Sequence, residues 1–328
     1  MKLSVLDYVP IFEGRNTTEA LNHSIELAQW AEQLGYHRYW VAEHHQVLSV
    51  ASSAPEMIMM SLLENTSTIR IGSGGIMLPH YSAYKVSEQL KIMEARHPNR
   101  VDIGTGKSSS FRNVNEALNE HKDKSEVNYS TQIDDLLAYF NDDTSEHNRF
   151  KGLLATPQIA TQPQMFILGM STRSAKLAAE KGLPLVVMQM GQQQRALNSV
   201  IETYRSHFKQ LHSDKQPYVM LATFVVTAKN EKVLNDLLRA FHLWLLRINY
   251  LNQPTSYYSI QYANERKFSE REQAKIYKNK SRVIAGSPEE VKEALNGLYA
   301  KYNIDEVMVM PHVYGEENRK SLLELIAL

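Results

Sequence analysis

The chain contains no cysteine. Disulfides, a thiolate nucleophile, Cys-ligated zinc and Cys-ligated iron–sulfur clusters are therefore excluded, and a reducing, cytoplasmic setting is expected. Charge of one sign is also lacking. Lys+Arg 36 stand against Asp+Glu 36, a formal net charge of +0, so no overall positive field exists to hold nucleic acid or an anionic membrane. No stretch approaches the ~18 uncharged apolar residues of a membrane span. The apolar run that starts at Met1 is broken at Asp7, shorter than a signal peptide needs. What remains, 43% hydrophobic and 22% charged over 328 residues, is ordinary globular composition for one large α/β domain or two smaller ones.

Strand and helix patterns alternate from the start. Leu3 to Tyr8 reads as a strand. Asn16-Thr17-Thr18-Glu19 offers a capping-box helix start. Leu21, Ile25, Ala28, Ala31 and Leu34 form an apolar stripe at helical spacing, closed by Gly35. Arg38 to Ala42 is aromatic and β-branched, hence strand. Further strands are expected at Ile69–Gly72, Arg100–Gly104, Gln164–Leu168, Pro184–Met188, Tyr218–Thr227 and Asp305–Met310. Helices are expected at Pro55–Glu64, Ala83–Arg96, Ser171–Lys181, Gln192–His212, Ser287 to about Ala300, and Glu316–Leu325.

Eight strands, each followed by a helix or room for one, point to parallel βαβ units. An open doubly wound sheet and a closed barrel both fit. The count of eight and the absence of a composition break favour an α/β protein with a (β/α)8 TIM barrel. A single domain spanning 1–328 is expected, with insertions at about 108–163 and 228–285. Such insertions, at the C-terminal ends of barrel strands, are where chemistry sits.

Three motifs fail. The third glycine of a GxGxxG starting at Gly72 would fall on Met77, and the first glycine of a Walker A loop ending Gly106-Lys107-Ser108 would fall on Val101. Glu43-His44-His45 is not a metal motif, because adjacent extended residues point to opposite faces.

What survives is convergence. Glu43-His44-His45 follows the second strand, Gly74-Gly75 and Pro79-His80 the third, Gly106-Lys107-Ser108 the fourth. Ser171-Thr172-Arg173-Ser174 follows the fifth, Gln189 the sixth and Pro311-His312 the eighth. Each has a structural alternative. The histidines can be satisfied structural side chains, the glycine pair a bulge, Lys107 a solvated lysine, and Ser171 to Ser174 a plain N-cap. The functional alternatives are a glycine pair that lets a flat ligand approach the backbone, and a lysine and helix N-terminus that neutralise a phosphate. Trp244, Tyr257 and Tyr258 read as packing rather than as a cofactor box.

The blocks Leu27 to His45 (LAQWAEQLGYHRYWVAEHH), Ala51 to Pro55 (ASSAP), Ile69 to Pro79 (IRIGSGGIMLP) and His97 to Gly104 (HPNRVDIG) resemble the bacterial luciferase-like flavin-dependent monooxygenases. So do Ser174 to Pro184 (SAKLAAEKGLP), Gly286 to Glu289 (GSPE) and Asp305 to Val309 (DEVMV). The likeness is to the single-subunit branch of luciferase-family oxidoreductases. It implies an eight-stranded (β/α) barrel and FMN, used as reduced flavin. It also implies oxygenation of a small organic substrate by O2 through a flavin C4a-peroxide, the cofactor carrying the chemistry and the protein positioning it. NAD(P)H would supply electrons, directly or through a flavin reductase, and a homodimer is implied by analogy.

His44 matches the family's catalytic histidine, whose near-neutral pKa suits proton transfer. Gly74-Gly75 matches a non-proline cis peptide against which the flavin ring rests. Lys107 stands where the family places a phosphate-binding arginine. Ser171 and Ser174 match phosphate contacts, and Met170 a backbone contact beside them. Lysine keeps the charge but loses arginine's bidentate fork. A second phosphate arginine has no counterpart at its place, leaving Arg112 and Arg173 as candidates, and Gly106 replaces the reactive cysteine of light-emitting luciferases. Two other readings stay open: a deazaflavin-dependent hydride-transfer enzyme and a non-catalytic flavin-binding protein.

Overall fold

The computed structural model describes all residues except 108–109, 121–127, 190, 192–193, 249–252 and 328. Ser108 and the expected helix start at Gln192 lie outside the described residues. Strand β1 (Lys2–Asp7) leads to α1 (Thr17–Gln33), β2 (Arg38–Val41), α2 (Pro55–Asn65), β3 (Arg70–Met77), α3 (Ala83–Arg96) and β4 (Val101–Gly106). After α4 (Arg112–Leu118) and α5 (Tyr129–Phe140) come β5 (Gln164–Leu168), α6 (Thr172–Glu180), β6 (Leu185–Met188), α7 (Gln194–Leu211) and β7 (Val219–Thr227). The chain continues through α8 (Glu231–Arg247), α9 (Ile260–Glu265), α10 (Glu270–Asn279), β8 (Val283–Gly286), α11 (Pro288–Tyr302), β9 (Glu306–Met310) and α12 (Glu316–Ile326).

Strands β1 to β7 and β9 close into a ring, with β6 pairing β7, β7 pairing β9, and β9 pairing β1. Every pairing is parallel, so the architecture is the expected (β/α)8 barrel. Local signals behave as the residues dictate. Asn16 caps α1 through Glu19 N–H while the Glu19 side chain returns to the Asn16 N–H, and Gly35 follows at φ +79°. Ser287 and Glu290 form the same reciprocal cap on α11, whose first turn holds Pro288.

Three things differ from expectation. β3 runs on to Met77, so Gly74 and Gly75 lie within it, at a register shift against β4 between Gly74 and Ile76. The segment 228–285 holds three helices and a ninth strand. That strand, β8, pairs with the end of β7 and lies outside the ring. The segment 108–163 holds α4 and α5. α4 is short with no buried residue, which is why no apolar stripe announced it.

The barrel interior explains its glycines. At the N-terminal end Arg38 is 2% exposed and lies 2.6 Å from Asp102 and 2.9 Å from Glu306, with Ser4 hydrogen-bonded to Glu306. One layer up, the Trp40 indole donates to Asp102 at 2.9 Å and meets the Phe166 ring at 5.0 Å. A Cβ on Gly72 would come within 2.5 Å of Trp40 Nε1, one on Gly104 within 2.9 Å of the indole ring, and one on Gly74 within 2.7 Å of Leu6. These positions must lack side chains because Trp40, Leu6 and the neighbouring strand backbone at Ser73 already fill the space.

Candidate functional site

Because all strands of the ring run the same way, their C-terminal ends open on one rim, the face on which such barrels place function. The groups singled out at strand ends therefore do share that rim.

At the exit of β2, Glu43 is 4% exposed. Its Oε1 accepts from His45 Nε2 at 2.7 Å and from the Tyr81 hydroxyl at 2.7 Å, and its Oε2 accepts from the Met77 N–H at 2.8 Å. Burial, then the bonded Glu43 carboxylate, push the Tyr81 phenol upward. His45 and His44 engage different partners, Glu43 and Tyr8. Among the described residues no group of three His, Asp or Glu could hold a metal ion.

His44 turns to the barrel axis. Its ring lies 4.4 Å from Tyr8, and its Nδ1 is buried without a hydrogen-bond partner. Burial pushes the imidazole down to about 4, Glu43 offsetting this only in part. The near-neutral value expected from sequence is thus corrected: desolvation against an aromatic wall disfavours the charged ring. That wall includes His312, 2% exposed, with both ring nitrogens unbonded and its ring 3.9 Å from Trp244 and 5.4 Å from Tyr8. Trp244 and Tyr257 stack at 6.0 Å within it, which is packing, as expected; Tyr258 stacks on Tyr262.

The Gly74-Gly75 peptide is cis. A Cβ on Gly75 would sit 2.4 Å from the Gly104 carbonyl oxygen, so the pair has a packing reason inside the sheet, whatever it does for a ligand.

A cavity of about 640 Å³ opens between Lys107, just after β4, the start of α5 and the face of α6. Its lining includes Lys107, Tyr129, Arg173, Ser174 and Lys176, with one carboxylate, Glu180, at the far end of α6. Lys107 and Arg173 are exposed. Ser171 caps α6 through Ser174 N–H at 3.2 Å, and the two hydroxyls lie 3.0 Å apart. Tyr129, pushed up to about 12 by burial, shares a hydrogen bond with Thr105 at 2.8 Å. The first turn of a helix with two hydroxyls and three cations around it suits a phosphate.

Lys107 and Ser174 are thus brought together with Ser171 beside them. Met170 is not part of the lining; it is exposed, and its Sδ accepts from Met188 N–H at 3.1 Å. His44, Gly74 and Gly75 do not line that cavity either. Of the two candidate arginines, Arg173 lines it, while Arg112 pairs with Glu116 on the surface. Tyr8, Tyr81, Tyr129 and Lys176 escaped the sequence reading. Each sits on a loop or helix with no motif of its own; only its spacing from a strand end could have flagged it.

A closed ring of eight parallel strands with helices outside it makes this chain a (β/α)8-barrel protein. More narrowly, the chain belongs to the luciferase-like monooxygenase family, whose model matches residues 1–306. Members of that family are flavin-dependent oxidoreductases and monooxygenases. The chain is 34% identical to the uncharacterized protein YceB of Bacillus subtilis (strain 168), over 99% of this chain and 98% of that one. It is 31% identical to the N-acetyl-S-alkylcysteine monooxygenase of the same organism, over 100% and 97%. Among solved structures, apo-MsnO8 superposes with a TM-score of 0.87 at 28% identity, covering 99% of this chain and 97% of that one. The oxygenating constituent of 3,6-diketocamphane monooxygenase from Pseudomonas putida, in complex with FMN, shares the fold at 16% identity (TM-score 0.72, 99% and 97% covered). So does an F420-dependent secondary alcohol dehydrogenase at 13% (TM-score 0.68, 99% and 98%). No helix among the described residues is long and apolar enough to cross a membrane.

Proposed function

We propose that this protein is an FMN-dependent monooxygenase that uses O2 to oxygenate a small organic substrate. The observation that carries the reading is the cradle: Lys107, Arg173 and Ser174 line one cavity at the first turn of α6, with the matched phosphate residues Lys107 and Ser174 facing the same space. The residues fit the group. Lys107, Arg173 and the α6 N-terminus would hold the phosphate with Ser171, Ser174 and the Met170 backbone, and the Gly74-Gly75 backbone would flank the ring system. Reduced FMN, when bound, supplies the activation of O2.

The chain's own residues do the rest. His44 is neutral at pH 7 because burial holds it near 4. It therefore acts as an uncharged hydrogen-bonding group that can hold or pass a proton. Tyr8, Phe224, Trp244 and Tyr257 exclude water on that side.

Oxygenation is favoured over deazaflavin hydride transfer because the full-length relative at 31% identity is a monooxygenase by name, whereas the F420-dependent structure shares 13% and the fold alone. The same reading carries electron supply from NAD(P)H, directly or through a flavin reductase, and pairing of two barrels. The test is anaerobic titration with reduced FMN and, separately, with a deazaflavin, followed by oxygen uptake over a panel of aldehydes, ketones and thioethers. FMN binding with substrate-dependent oxygen uptake is expected. Binding of the deazaflavin alone, or flavin binding with no substrate-dependent uptake, overturns it.

A further inference from the structure

We propose that Glu43 is the positioning residue of the rim: its carboxylate ties the loop carrying His44 to the exit of β3, and so sets where the His44 imidazole stands relative to Gly74-Gly75. The proposal rests on the reading of His44 as the reacting histidine.

A carboxylate this deeply buried is tolerated only where donors surround it. The donors here come from separate segments: His45 from the same loop, the Met77 N–H from the end of β3, and the Tyr81 hydroxyl from just beyond the short turn Leu78–His80. Met77 is two residues past Gly75, so the bond at 2.8 Å fastens Glu43 to the strand end that carries the glycine pair. His44 lies between Glu43 and His45, and both neighbours point into this knot. The His44 N–H is also engaged, with Ser52 O at 2.8 Å. The backbone of His44 is therefore held on both sides while its ring is turned away towards Tyr8.

A histidine at a reactive position is commonly oriented by a hydrogen bond to its second ring nitrogen. His44 has no such bond at Nδ1. Its orientation must come from the backbone and from packing on Tyr8, and Glu43 controls the backbone. An error of ~1 Å in such a group costs about 10²-fold in rate.

The test compares Glu43→Gln and Tyr81→Phe with His44→Ala. An amide cannot accept all three donors, because its NH2 must face one of them. In the ligand-free protein, exchange of the Met77 amide should speed up about tenfold or more in Glu43→Gln. At saturating reduced FMN, kcat should fall about 10²-fold with FMN affinity close to the parent's. Tyr81→Phe, which removes one donor and keeps the carboxylate, should move kcat the same way by less, and carries the test alone if Glu43→Gln does not fold. Parent-like exchange in every folded variant overturns the proposal. So does parent-like kcat beside faster exchange, or an effect confined to FMN affinity. If His44→Ala itself turns over at the parent rate, the functional reading fails and the proposal with it. Parent turnover in Glu43→Gln beside an inactive His44→Ala sinks the proposal alone.

Discussion

The His44 ring stands 4.4 Å from the ring of Tyr8, tilted by 46°, and no described residue bonds its buried Nδ1. Burial there favours the neutral form of the imidazole.

The first consequence concerns pH. Burial lowers His44 from 6.5 to about 4, and His23 and His242 likewise to about 4. The unfolded chain therefore takes up these protons first as pH falls. The stability they contribute is complete above 6.5 and is lost as pH falls towards 4. Glu56, Asp135 and Asp305, whose carboxyls burial raises, act in the opposite sense at the lower end of that window. Urea midpoints should drop between pH 7.5 and pH 5, and the His44 ring should titrate by NMR near 4. A His44 midpoint near 6.5 would show a solvated ring.

Replacing Lys107 by Ala should weaken FMN binding by about 1.5–3 kcal/mol, the size of a charge-assisted contact, while an exposed lysine leaves folding almost untouched. Calorimetric titration beside thermal melts separates the two. Equal FMN affinity in variant and parent removes Lys107 from the site.

Gly75→Ala puts a methyl 2.4 Å from the Gly104 carbonyl oxygen, where backbone cannot step aside. A loss of about 1–3 kcal/mol in unfolding free energy is expected. Gly106→Ala, whose Cβ would meet nothing within 4 Å, is the control and should be near neutral. Equal melting temperatures for the two variants would show that β3 and β4 are not packed that tightly.

Arg38→Met leaves Glu306 inside the barrel without its cation and takes one of two from Asp102. Removing one partner of a buried ion pair costs about 3–5 kcal/mol. Arg70 still reaches Asp102 at 2.6 Å, so the residual strain should centre on Glu306. Equilibrium denaturation measures it, and a change under ~1 kcal/mol would mean water reaches the barrel floor.

Much of this molecule is legible locally. Period and capping residues predict α1 and α11 to within a residue or two at their starts, and alternating strand and helix patterns predict the barrel. The cradle was half legible: Lys107 and Ser171 to Ser174 stand at strand ends, but Tyr129 and Lys176 carry no local mark. β8 was missed because it lies outside the ring of eight strands that the strand–helix alternation describes.

The sequence by itself determined which segments become strands and helices, and that all strand ends meet on one rim, because those follow from spacings of a few residues and from parallel connections. Only the tertiary structure decided that one carboxylate gathers His45, Met77 and Tyr81, that Trp40 is what Gly72 makes room for, and that burial holds His44 in its neutral form. Those depend on where side chains from distant parts of the chain point once the ring has closed and water has been driven out.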